Sequence, residues 1–122
     1  MPIAISIRNQ LFPISGLSIA AAAAASSVPA ASLAAPGRSL ARIARARQLA
    51  VYLHHVGLGA SLSACARQFR RDRATVRHAC AVIEHLRDDR RFDQAAARLE
   101  SAVRAQRDMV LALLADFEGA AQ

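Results

Sequence analysis

Apolar positions recur at helical spacing through most of the chain beyond residue 40. Ile43, Leu49, Ala50, Leu53 and Val56 give an apolar face to a helix running through Ala44 to Val56, which Gly57 and Gly59 end. Ser61 is the expected N-cap of a short helix, Leu62 to Phe69, with Leu62, Cys65, Ala66 and Phe69 inward. Arg70 and Arg71 form a turn, after which Asp72, with Thr75 three residues later, opens a helix to about Asp88 whose buried stripe is Val76, Ala79, Ile83 and Leu86. Phe92, Ala96, Leu99, Val103, Val110, Leu113 and Phe117 then fall at alternating spacings of three and four, broken only by Gln106, and predict one long helix over 92–117. Its first half is expected to pack on the domain, and its heptad register would support a homodimer. No segment alternates with a period of two, so the expected fold is all-α: a small helical domain with a long C-terminal helix.

The ends read differently. Residues 1–36 are rich in alanine and serine, with an alanine run from Ala20 to Ala25 and prolines at 2, 13, 29 and 36, and are expected to be a disordered tail, as are 118–122. Arg8, the apolar stretch Leu11 to Ala25 and the small residues near Pro29 imitate a secretory signal, but Pro13 and Ser15 interrupt the apolar stretch. A cytoplasmic, nucleoid-associated protein is expected instead. No apolar run approaches the roughly 20 residues that span a bilayer, so no membrane partner is expected.

Charge locates the chemistry. The 122 residues carry a net charge of +7, distributed as +1 over 1–36, +8 over 37–91 and −2 over 92–122. A basic segment of this kind is the footprint of a protein that meets a polyanion. All sixteen cations are arginine, which binds phosphate and guanine bidentately; without a lysine there is no Walker A motif, so no nucleotide is expected. Cys65 and Cys80 lie in apolar patterns and read as reduced core residues, and their spacing to His78 and His85 matches no closed zinc site. His54 and His55 read as the cationic end of the first helix and His85 as a solvated residue. No nucleophile elbow and no paired carboxylates appear, so neither catalysis nor a cofactor is expected.

Two short helices joined by a tight turn, the second capped and studded with arginine, make a helix-turn-helix over 37–91. The second helix fits the major groove, where Arg73 and Arg77, one turn apart and off the apolar stripe, face the bases. The run Ala44-Arg45-Ala46-Arg47-Gln48-Leu49-Ala50-Val51-Tyr52-Leu53, then Ser61-Leu62, Phe69 and Arg71-Asp72-Arg73-Ala74-Thr75-Val76-Arg77-His78-Ala79, resembles the C-terminal DNA-binding domain of the bacterial replication initiator DnaA over roughly Arg38 to Ala105. That resemblance implies a Trp-repressor-like helix-turn-helix and double-stranded DNA as partner. It implies a minor-groove arm holding Arg38, Arg42 and Arg45, a major-groove set of Asp72, Arg73 and Thr75, and phosphate contacts from Arg47 and His78; by position alone Arg77 joins the major-groove set, and Arg70 and Arg71, beside the start of the second helix, suit phosphates. Two departures stand out: Arg73 and Ala74 replace the family's His and Thr, and the two glycines of its turn are missing with one residue deleted. An arginine at that position favours guanine. The reading is thus a DNA binder without an ATPase module, acting on replication initiation or transcription; the alternative is an adaptor that uses the long helix and carries a degenerate DNA-binding domain.

Overall fold

The computed structural model describes residues 12–35 and 40–121. The helices are α1 (Phe12–Ser26), α2 (Ala41–Tyr52), α3 (Leu62–Phe69), α4 (Arg73–Leu86) and α5 (Arg90–Ala121), with a short 3-10 turn at Ala30–Ser32. There is no strand among the described residues, in line with the all-α expectation.

The expected tail is the largest correction. Residues 12–26 form a helix, and Ser18, Ala22 and Ala23 are buried together with Val28 and Leu33 of the following loop. α1 is mostly alanine and other apolar residues with three scattered serines and no charge, so it shows no 3.6-residue stripe to mark its buried face. Alanine is nonetheless the strongest helix former, and its small side chains let α1 lie closely against α2 and α5. The helix ends with Ser27 in the left-handed region at φ 54, where Val28 N–H reaches back to the Ala23 carbonyl at 3.1 Å.

α2 continues through a wide π turn, Leu53–Gly57, before Gly59 takes φ +76. α3 has the expected limits, and Ser61 Oγ accepts from the Ala64 amide at 3.0 Å. α4 begins as expected, with Asp72 Oδ1 accepting from the Thr75 amide at 2.7 Å. It ends at Leu86, and a cap that the sequence reading passed over restarts the chain: Asp89 Oδ1 accepts from the amides of Arg91 and Phe92, so α5 starts at Arg90. α5 also runs through the 118–121 segment expected to be a tail.

The core gathers Leu33 from the loop after α1, Leu53 from the π turn, Cys65 and Phe69 from α3, Val76 and Ile83 from α4, and Val103 from α5. A polar cluster fixes α5 to it. Arg87 donates Nε to Asp93 Oδ1 at 2.6 Å and Nη1 to both Tyr52 OH at 2.9 Å and Glu100 Oε1, with its guanidinium 5.9 Å over the Tyr52 ring. Glu100, 7% exposed, also pairs with Arg104, whose Nε donates to the Gly57 carbonyl at 2.9 Å. These contacts hold the arginine's pKa well above its ordinary value, Asp93 contributing most.

Candidate nucleic-acid interface

The turn between α3 and α4 decides how the second helix is presented. It closes as a Schellman motif: Arg71 N–H donates to the Ala66 carbonyl at 3.0 Å, and Arg70 takes φ 54, ψ 47. Glycine is the usual residue there, and arginine adopts it at a cost of about 1 kcal/mol. The missing glycines therefore leave the left-handed position in place. Arg70 occupies it with an exposed side chain beside the start of α4.

At that start, Arg73, Ala74, Thr75, Arg77 and His78 are exposed while Val76, Ala79 and Ile83 are buried. Arg73 and Arg77 thus share a solvent-facing side at i, i+4 spacing. Asp72 is committed to the cap: the Thr75 amide holds its carboxyl pKa below the ordinary value, with a smaller contribution from Arg77. Its Oδ1 is occupied by that backbone group, which makes the residue a determinant of where α4 begins.

Two arginines expected on phosphates have structural work. Arg47 is buried, donating Nε to the Leu33 carbonyl at 2.7 Å and Nη2 to the Ser32 carbonyl at 3.1 Å. Burial, and secondarily Arg71, lowers its pKa. The guanidinium of Arg47, expected on phosphate, satisfies carbonyls of the loop after α1, a loop that lies within the segment expected to be a tail. Arg71 is half-buried and donates to the carbonyls of Phe69, Arg70 and Ala35. Together the two arginines fasten the 30–35 loop beside the turn.

A cleft between α2 and α4 brings Arg47, Gln48, Arg71, Thr75 and His78 around one concavity. Gln48 was not singled out from sequence, although it stands within the run that carries the resemblance. Arg42 and Arg45 are exposed, but Arg45 borders a separate apolar cleft lined by Leu49, Ile83, Phe92, Ala96 and Leu99. At about 100° per residue, Arg45 and Leu49 lie about 130° around α2 from the residues facing Thr75. Arg38 lies outside the described residues.

His54, in the π turn that continues α2, differs from expectation too. His54 is 2% exposed with no hydrogen-bond partner for Nδ1, and it packs edge-on to Phe69 at 6.2 Å. Burial, then His55, lowers its pKa, so it is neutral rather than a cation at a helix end. His55 Nδ1 donates to the Ala60 carbonyl at 2.6 Å. Both cysteines are free and buried, with thiol pKa values pushed up to about 12 for Cys65 and about 11 for Cys80, mainly by burial.

A comparison with curated proteins finds no match. The family model described as the bacterial DnaA protein helix-turn-helix matches residues 19–83. The match begins inside α1, earlier than the sequence reading placed it, takes in α2, α3 and most of α4, and stops before α5. With more than half of its residues matched, the chain belongs to the bacterial DnaA helix-turn-helix family, a family of domains that bind double-stranded DNA.

Proposed function

We propose that this protein binds duplex DNA site-specifically, with α4 in the major groove, and that it occupies sites related to those of the initiator, so modulating replication initiation or transcription from the nucleoid without an ATPase of its own. The observation that carries the reading is the capped N-terminus of α4 with Arg73, Thr75 and Arg77 exposed on it, inside the region matched by the family. In this reading Arg73 and Arg77 meet base edges, and the change from the family's histidine to Arg73 shifts preference toward guanine. Arg70 and His78 meet phosphates on either side, with Arg71 close by and chiefly bracing the turn. Arg42 and Arg45, with Arg38 before them, supply the basic arm for the minor groove.

The test is a fluorescence-anisotropy titration of labelled duplexes at two salt concentrations. With roughly five phosphates engaged, log K falls against log[salt] with a slope near −4.5. Arg73→Ala costs about 1–3 kcal/mol on the preferred site and flattens the preference at one base pair, whereas Arg70→Ala weakens all duplexes alike. Absence of salt-sensitive duplex binding at low ionic strength would sink the proposal.

A further inference from the structure

α5 outruns the domain that it is anchored to. Its 32 residues span about 48 Å. Its buried residues are Ala96, Glu100 and Val103, none of them beyond Val103. From residue 104 onward the helix carries Met109, Leu113 and Phe117 at 65%, 60% and 66% exposure, with Val110 and Leu114 half-buried beside them. Val110, Leu113 and Phe117 continue the register that Ala96, Leu99 and Val103 set against the domain, so one apolar seam is covered over its first half and, over its second, is only partly covered, with Leu113 and Phe117 exposed.

Charge restricts what covers the second half. Residues 108–121 contain Asp108, Asp116 and Glu118 and no cation, which disfavours DNA and anionic lipid. The cations of the extension, Arg104 and Arg107, stand at its domain end. We infer that the 104–121 portion of α5 pairs antiparallel with the same portion of a second copy. Antiparallel alignment lays each acidic tip alongside the partner's Arg104 and Arg107 end, where Arg104 also faces Glu100 and Arg107 also faces the exposed Asp108 of its own chain. It also keeps the two +8 segments at opposite ends of the pair, whereas parallel alignment would stack them side by side. Pairing Val110 of one helix with Leu113 of the other centres the two-fold axis between residues 111 and 112. The earlier expectation of a seam over all of 92–117 is thereby narrowed, because the 92–103 half is spent on the domain. A two-fold pair presents its two α4 helices as an inverted pair. The inference stands on the helix alone and does not depend on the DNA reading.

Sedimentation equilibrium of the full chain over the micromolar range tests it. The expected result is a concentration-dependent mass rising from 13.0 kDa toward twice that value. Leu113→Glu raises the dissociation constant on the order of tenfold or more. Because Leu113 is solvent-exposed in the single copy, that variant keeps the melting temperature of dilute wild type. Orientation is read from spin labels on Arg98→Cys, which lies on the exposed side of α5 while Cys65 and Cys80 are shielded. Labels about 40 Å apart support the antiparallel pair, and labels about 10 Å apart overturn it. A chain that stays monomeric throughout, or one that stays monomeric and instead floats with anionic phospholipid vesicles, also overturns it.

Discussion

Replacing Glu100 by alanine probes the contact that joins α5 to the rest of the fold. The Glu100 side chain is 9% exposed and accepts from Arg87 while standing 3.6 Å from Arg104. Stranding a fully buried charge costs about 3–5 kcal/mol, and an exposed pair is worth less than about 1 kcal/mol. Arg87 falls between these limits after the substitution. It is 20% exposed, and it keeps Asp93 at 2.6 Å and the Tyr52 hydroxyl at 2.9 Å. The loss is then close to one charge-assisted hydrogen bond plus a partial packing defect, about 2–3 kcal/mol. Arg87→Ala removes three contacts at once and leaves Glu100 buried with only the distant Arg104, so it costs more, about 3–5 kcal/mol. Arg87→Met with Glu100→Leu removes both charges together and recovers much of that loss.

Urea titrations followed by circular dichroism at 222 nm give these free energies, and fluorescence of Tyr52, the single tyrosine in a chain without tryptophan, reports on the same locus. A milder in-fold comparison is Arg104→Ala, which gives up an exposed ion pair worth less than about 1 kcal/mol and the hydrogen bond to the Gly57 carbonyl, about 1–2 kcal/mol in all. A Glu100→Ala loss below about 0.5 kcal/mol, or a double variant no better than Arg87→Ala alone, would refute the reasoning that this cluster anchors α5. Duplex affinity measured well below the melting temperature should not change, because the cluster does not touch the exposed side of α4.

Three further outcomes are expected. Arg70→Gly removes a left-handed non-glycine residue and raises stability by about 1 kcal/mol, whereas Arg70→Val lowers it, and a glycine variant that is less stable in urea contradicts the turn geometry. His54 has a folded pKa below its unfolded value, so stability is full above the ordinary histidine range and declines as pH falls from there toward the folded pKa, where the unfolded chain takes up a proton that the folded one refuses; His54→Phe should flatten that part of a melting-versus-pH curve. Cys65 and Cys80, with thiols raised to about 12 and about 11, should resist a thiol-specific disulfide reagent at pH 8 until denaturant is added, and prompt native labelling would count against their burial.

Caps and stripes made much of this protein legible from its residues. Ser61 and Asp72 are short polar side chains that satisfy the first free amides of α3 and α4, and such local hydrogen bonds need only the neighbouring chain, so the helix starts follow from sequence. The same holds for the inward residues Cys65, Phe69, Val76 and Ile83, because a 3.6-residue period marks a buried face wherever the other face is polar. Family membership rested on the same segments. What tertiary structure decided was the fate of groups whose partners lie far along the chain. Arg47 and Arg71 read from sequence as cations for phosphate, and only the fold brings the loop at Ser32, Leu33 and Ala35 back to offer them its carbonyls, across 14 to 36 residues. α1, without a charge and with its few serines scattered, showed no stripe to signal the face that α2 and α5 would cover. Glu100 carries no signal of its own in the sequence, and it is an anchor only because Arg87 and Tyr52 converge beside it from other elements. Periodicity reports which side of a helix is buried; which charge finds a distant partner is set only when the chain closes on itself.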